Sequence, residues 1–259
     1  MKAKSEIRWV GGKRRILDKL PIDSSKSTYI EPFVGGGSVL INVLQNYNFD
    51  KYIAADANRD LISFYQHLKS DPHTLIEEHK KLENGEHSKE KYLKYRKEFN
   101  EIEDYSVYKA ALFLYLNKHG FNGLYRVNKR GKLNTAFGAR DRRTNYDNLL
   151  MLSSLFSRVS FCAQSYEETL KLADKSSFIY LDPPYLNTFK GYTKDGLFLE
   201  NKLLKELNGI DNRGASFTLS NSNDGYFYEN FSMFNIQEIN SMSSIAGYNR
   251  NTELIITNW

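Results

Sequence analysis

Two periodicities share this chain. Short runs rich in β-branched and aromatic residues occur at the start of 28–43, which goes on to a glycine loop and a helix start, and at 51–56, 159–163, 177–182, 215–220, 234–239 and 253–257. Such runs, bounded by turn-forming residues, predict strands. Between 59 and 118 the apolar positions instead recur every three to four residues: RDLISFYQHL, DPHTLIEEHKKL, SKEKYLKYRKEF and SVYKAALFLYLNK. That spacing predicts amphipathic helices, and Asp71, Ser88 and Ser106 stand where N-caps belong. One more helix is expected near 145–157, and LYRV and KLNT could pair as a hairpin across NKRG. The pattern is therefore α/β in 1–57 and 158–259, interrupted by a helical, loop-rich insertion over 58–157. Alternation of this kind predicts a mostly parallel sheet with helices on its faces. The last two strands, joined without a helix, predict an antiparallel edge hairpin.

Bulk properties narrow the picture. The 259 residues are 41% hydrophobic, enough for a sizeable core. A single cysteine, Cys162, excludes an intrachain disulfide and a thiolate zinc cluster, and it reads as a core residue. The five histidines show no HExxH-type spacing, so no metal is expected. No apolar stretch approaches a membrane span, and the basic N-terminus lacks a signal-peptide core. A reducing, cytoplasmic setting is expected. The net charge of +5 says less than its placement. Lys118, Arg126, Lys129, Arg130, Lys132, Arg140, Arg142 and Arg143 stand against one acid, Asp141, and interleave with Phe121, Tyr125 and Phe137. This stretch predicts a nucleic-acid face, most of its charges binding phosphates. The Lys- and Glu-rich segment 77–104 mixes both signs and reads as a solvated helix surface.

The chemistry sits at strand ends. SFIYL stops at Asp182-Pro183-Pro184-Tyr185. Two prolines end the ladder, because each lacks an N–H and fixes φ. Their carbonyls remain acceptors. Asp182 and the Pro183 carbonyl thus make a two-acceptor clamp, and Tyr185 a flat face, suited to an exocyclic amine. Upstream, EPFVGGGS places Gly35, Gly36 and Gly37 between a strand and a helix, where backbone can approach a ligand. Asp56 ends the next strand at a distance suited to ribose hydroxyls. Neither GxGxxG nor GK[ST] is present, so a nucleoside without phosphates, such as S-adenosylmethionine, fits better than a dinucleotide. Trp9, Gly11, Gly12 and Lys13 could form a second wall of that site or simply an N-terminal arm with a buried Trp.

With these residues in view, the chain resembles the Dam-like, D12-class DNA N6-adenine methyltransferases over nearly its whole length. WVGGK, EPFVGGGS, AADANRDLI, LFLYLNKHGFNGLYRVNKRGKLNTAFG, QSYEE, LDPPY and SMSSIAGYNRNTELI occur in that family's order. The resemblance implies a Rossmann-like methyltransferase sheet in 1–57 and 158–259 and a target-recognition domain in 58–157. It implies S-adenosylmethionine as cofactor, with S-adenosylhomocysteine as product. Trp9, Gly11, Lys13, Phe33, Gly35, Gly37 and Asp56 would line its site, with Ser165, Tyr166 and Asp182 close by. Asp182, Pro183, Pro184 and Tyr185 would carry catalysis.

By the same resemblance Asn122, Leu124 and Arg126 would contact bases of a GATC-type site in double-stranded DNA. Phe121 would wedge beside the flipped adenine, and Lys118 would join the DNA contacts. Relatives tend to have PFGR after the hairpin. Here Ala136 replaces the Pro and the Arg is displaced to Arg140, so part of the specificity is open. A bacterial or phage cytoplasmic enzyme acting as a monomer, on DNA and not at a membrane, is expected. An RNA amino-group methyltransferase and a non-catalytic DNA-binding relative are the alternatives. The segment 186–197 is expected to be a mobile loop over the flipped base.

Overall fold

A computed structural model describes residues 2–184, 196–242 and 250–259. Tyr185, most of the 186–197 loop and the centre of the SMSSIAGYNRN block lie outside the described residues. The chain divides into two compact units.

The first unit comprises Met1–Gly12, Gly35–Gln45 and Asn58–Ala163. It holds α1 (Ser38–Asn46, all but its last residue), α2 (Arg59–Ser70), α3 (Pro72–Glu83), α4 (Lys89–Glu101), α5 (Val107–His119), α6 (Tyr146–Phe156) and β3 (Val159–Ala163). Each of α2 to α6 is capped by the residue before it. Side-chain oxygens of Asn58, Asp71, Ser88, Ser106 and Asn145 accept N–H groups of the first turn that have no intrahelical partner. α5 is buried on every side from Ala110 to His119 and packs against α2, α3 and α4. That explains its run of large apolar residues, since a helix at the centre of a bundle has no polar face to show. The segment 77–104 is less solvated than its charges imply: His79, Leu82, Glu83, Tyr92 and Phe99 are buried. Cys162 is half-buried rather than in the core.

The second unit comprises Lys13–Val34, Asn46–Ala57 and Gln164–Trp259. Six strands lie here: β1 (Thr28–Glu31), β2 (Lys51–Asp56), β4 (Ser177–Leu181), β5 (Ser216–Ser222), β6 (Asn235–Met242) and β7 (Arg250–Thr257). Their order is β2-β1-β4-β5-β7-β6. β1 pairs in parallel with β2 and β4, and β4 with β5. β7 runs antiparallel between β5 and β6. The closing hairpin is therefore as expected, but its first strand, β6, forms the edge and its second is interior. β4 has a parallel neighbour on each side and all five residues buried, which is why SFIYL is apolar without alternation. Ile30, Ile179, Leu181, Phe217, Leu219 and Ile256 pack with Leu203, Leu207 and Ile210 of α8 (Gly196–Asn212) in one core. This is a Rossmann-like α/β architecture with an antiparallel edge.

Candidate active site and nucleic-acid face

The order of the second unit's strands reverses between β1 and β4. β1 continues outward to β2, while β4 continues to β5. Ligands of open α/β sheets bind outside the carboxyl ends of the strands at such a point. Three carboxylates converge there: Glu31 ends β1, Asp56 ends β2 and Asp182 follows β4.

Asp182 is held from the opposite side by Lys13. The ammonium donates to Oδ1 at 2.6 Å and Oδ2 at 2.8 Å, and Lys13 is only 2% exposed. Ser220 Oγ donates to Asp182 Oδ1 at 3.3 Å and is within 2.7 Å of the Tyr180 hydroxyl. Glu253 lies 4.0 Å from the Lys13 ammonium. Burial pushes the Asp182 carboxyl above the usual carboxylate range, Lys13 pulls it back, and Glu253 adds to the rise. Lys13 is thus the charge that opposes the effect of burial on Asp182. Pro183 is buried and Pro184 exposed. Tyr185, the fourth residue of the motif, lies outside the described residues.

Glu31 was not singled out by sequence reasoning. It is buried and accepts a 2.6 Å hydrogen bond from the Tyr29 hydroxyl. Burial drives its carboxyl well above the usual range; the Tyr29 bond opposes this, and Asp182 and Asp56 reinforce it. The signal was available: its acid opens the EPF segment at a strand end.

Phe33 and Tyr166 stack with ring centroids 5.3 Å apart. The Tyr166 hydroxyl is buried without a hydrogen-bond partner. Burial, then Glu167 and Glu206, push it up to about 12, so it remains a hydroxyl. Ser165 is exposed and caps α7 (Tyr166–Leu170), accepting from Glu168 N–H. Two stacked rings, the Tyr166 hydroxyl as a donor and the Asp56 carboxylate as an acceptor form a set that fits a nucleoside.

Trp9, Gly11, Gly35 and Gly37 belong to the first unit. Gly35 has φ +45°, and a Cβ there would lie 2.8 Å from the Trp9 ring. The close approach that glycine permits at this position is to the chain's own indole. Gly37 (φ +70°) faces the Tyr65 hydroxyl, which donates to the Gly35 carbonyl at 2.8 Å. Trp9 stacks in turn on Tyr125, centroids 5.9 Å apart. It is half-buried, as an arm residue with one face covered.

The basic stretch forms a partial hairpin. Val127 and Leu133 make a single antiparallel bridge, and Asn134 N–H donates to the Arg126 carbonyl at 2.9 Å. The pairing does not extend into named strands because LYRV and KLNT are held largely by side chains. Thr135 Oγ1 donates to the Leu124 carbonyl at 2.9 Å, and Arg96 and the Tyr92 hydroxyl both donate to the Thr135 carbonyl. Phe121 is 54% exposed, and Asn122 beside it has φ +54°, rare for a residue other than glycine. Phe121 N–H donates to the Ala136 carbonyl at 2.7 Å, which places Ala136 directly against the Phe121–Gly123 turn. Leu124 is half-buried. Arg126 is exposed, its guanidinium steadied by Asn134 Oδ1 at 2.9 Å. Lys129, Arg130 and Arg140 are exposed as well.

Three expectations on this face change. Lys118 is 8% exposed and ion-paired with Glu6, so its charge is neutralised inside rather than offered to phosphate. Tyr125 packs on Trp9 and Phe113 and donates to Asp60 at 2.6 Å. Phe137 packs against His87 and Tyr92. Of the three interleaved aromatics, Phe121 alone presents its ring. Asn117 was missed altogether. Its amide donates to the carbonyls of Arg8 (2.8 Å) and Gly123 (3.2 Å) and accepts from Arg8 N–H (2.9 Å), tying the N-terminal arm to the turn.

Residues 9–245 match the family described as D12 class N6 adenine-specific DNA methyltransferase. The chain is 37% identical to the type II methyltransferase M.MjaIII of Methanocaldococcus jannaschii, over 92% of this chain and 91% of that one. It is 37% identical to a DNA adenine methylase of Vibrio cholerae, over 78% and 74% of the two chains. It is 34% identical to the DNA adenine methylase of Escherichia coli K12, over 85% and 81%. A solved rRNA methyltransferase from Streptomyces viridochromogenes aligns over 95% of this chain and 81% of that one at 11% identity and a TM-score of 0.35, too distant to carry an argument. No described helix is long and apolar enough to cross a membrane. A carboxylate paired with a buried lysine ahead of a proline turn, at the switch point of a Rossmann-like sheet, stands in a chain that belongs to the D12 class N6 adenine-specific DNA methyltransferases.

Proposed function

We propose that this methyltransferase takes its methyl group from S-adenosylmethionine and places it on N6 of adenine within GATC in duplex DNA. The observation that carries the reading is Asp182, paired with Lys13 at the sheet's switch point, ahead of Pro183 and Pro184. When bound, S-adenosylmethionine supplies an activated sulfonium methyl group, so the protein's task is chiefly orientation. Asp56 would accept from the ribose hydroxyls. Phe33 and Tyr166 would cover the base, and the unpartnered Tyr166 hydroxyl would find an acceptor there.

An adenine amine is a poor nucleophile, because its lone pair is delocalised into the ring. Asp182 and the Pro183 carbonyl accept its two hydrogens, localise the lone pair and oppose the positive charge that develops on nitrogen. The amine cannot reach this pocket from within the stack, so the base must be flipped out. Phe121, exposed on its turn, would fill the gap in the duplex. Arg126 reads a guanine through O6 and N7, Leu124 meets a thymine methyl, and Asn122 contacts a base edge. Lys129, Arg130 and Arg140 bind phosphates. Residues 58–157 would then be the target-recognition part, without Lys118.

Sequencing modified bases in DNA from cells that express the protein tests this directly. Methyladenine is expected in GATC; no enrichment there overturns the specificity. The Arg126→Ala variant is expected to lose about 1–3 kcal/mol of discrimination against sites lacking that guanine. An equal loss on all sequences would assign Arg126 to phosphate.

The Lys13–Asp182 pair sets the pH dependence. Asp182 acts as the ionised form, and Lys13 lowers a carboxyl that burial has raised. Without Lys13 the carboxyl rises further, so more hydroxide is needed to ionise it. The acid limb of kcat/KM for Lys13→Met is therefore expected at higher pH than in the wild type. An unmoved limb would separate Lys13 from the state of Asp182.

A further inference from the structure

A second cluster of ionisable groups lies in the first unit. His87, on the connection between α3 and α4, His119, the last residue of α5, and Asp141 each bring a ligand atom within 4.8 Å of the other two. We propose that these three residues bind one divalent cation of borderline softness, Zn²⁺ by preference, and that the ion fastens the segment carrying Phe121–Arg140 to the helices beneath it.

The first argument is unsatisfied nitrogen. His119 is 1% exposed, yet neither ring nitrogen makes a hydrogen bond, and His87 Nδ1 is also buried without one. Buried polar atoms are nearly always paired, since leaving one unpaired costs its full desolvation. Here unpaired nitrogens from two residues lie beside each other, with the imidazole centroids 4.6 Å apart.

The second argument is orientation. A ligating histidine usually donates its other N–H to a carbonyl or carboxylate, which fixes tautomer and ring angle. His87 Nε2 lies 3.1 Å from the Gly138 carbonyl, which leaves Nδ1 as a lone pair. His119 Nε2 faces Glu83 Oε1 at 3.8 Å and Nδ1 faces Asp141 Oδ1 at 3.9 Å. Glu83 is itself fixed by Tyr146 (2.8 Å) and Thr144 N–H (3.2 Å). Arg143 donates to Asp141 Oδ2 at 3.0 Å, turning the other oxygen toward His119. The same Arg143 also donates to the Glu83 carbonyl, and Lys91 donates to the Asn84 carbonyl.

Two neutral imidazoles and one carboxylate suit Zn²⁺, with water in the fourth position. Ligands about 2.0–2.1 Å from a tetrahedral ion stand roughly 3.4 Å from one another. The cluster must therefore contract, and Asp141, 41% exposed, is the member free to move. The consequence follows from the connections. Gly138 N–H donates to the His119 carbonyl at 2.8 Å, and Gly120 bridges to Phe137. An ion at this point would hold both ends of the 120–138 segment. The site stands on its own groups, whether or not that segment reads DNA.

The test is calorimetric titration of ZnCl₂ into the chelator-treated full-length protein, with Co²⁺ absorption as a second readout. One Zn²⁺ per chain and a tetrahedral Co²⁺ spectrum are expected. The His87→Gln and Asp141→Asn variants are each expected to bind at least about 10-fold more weakly, as even loss of an outer partner does. Asp141 lies at the surface, so its variant decides the matter should His87→Gln fail to fold. No saturable binding overturns the site, as does affinity unchanged in Asp141→Asn.

Discussion

Methyl transfer by the Asp182→Ala variant is expected to fall by about 10²–10³-fold or more, the range for losing one preorganised electrostatic partner of a transition state. Binding of a cofactor analogue and of DNA is expected to persist, because Asp182 contributes to neither the Phe33–Tyr166 stack nor the Phe121–Arg126 turn. The substitution also leaves Lys13 buried without its nearest carboxylate. Glu253, at 4.0 Å, is the acid that remains in range, so some loss of stability accompanies the loss of rate. The Asp182→Asn variant separates the two effects, since it keeps the shape and one acceptor oxygen but not the charge. Tritium transfer from S-adenosylmethionine is the measurement. Transfer that persists in both variants would mean that the amine is activated elsewhere.

The Gly123→Ala variant is expected to be destabilised by about 2–3 kcal/mol, since a non-glycine residue in this region costs of order 1–3 kcal/mol before any clash. Gly123 has φ +67°, and a Cβ there would sit 2.4 Å from Arg8 Cβ. That atom is next to backbone and cannot swing aside. The Arg8 backbone is also pinned by Asn117, which bonds both its N–H and its carbonyl. Thermal melting is expected to drop by roughly 5–10 °C for a chain of this size. DNA affinity is expected to fall with it, because Phe121 and Asn122 share the turn. An unchanged melting temperature would mean that the arm shifts freely and that the Asn117 bonds are weak.

Much of the fold was legible along the chain. The runs KYIAAD and VSFCA coincide with β2 and β3 to the residue, because period-two and continuous apolar patterns report which faces of a strand are covered. Caps marked the helix starts, because the N–H groups they satisfy are local. α8 was not read from the sequence: its described span carries no acidic residue in the first turn and no basic one in the last. The closing hairpin was legible as a pair, but which strand lies inside was not. That depends on β7 pairing with β5, a contact between distant segments.

At the sites the division is sharper. Residue type and motif order were enough by themselves to mark an α/β chain that resembles the D12 class, with a carboxylate ahead of a proline turn and a basic segment from Lys118 to Arg143. Those are properties of residue type and spacing, which no folding can alter. Only the tertiary structure decided what each charge faces. It buried Lys118 against Glu6, set Lys13 on Asp182 across a separation of 169 residues, and turned Tyr125 and Phe137 inward while leaving Phe121 exposed. It also brought His87, His119 and Asp141 together from three separate segments. The reason is that Coulomb and desolvation energies depend on distance in space and on burial, and neither is written in the order of residues.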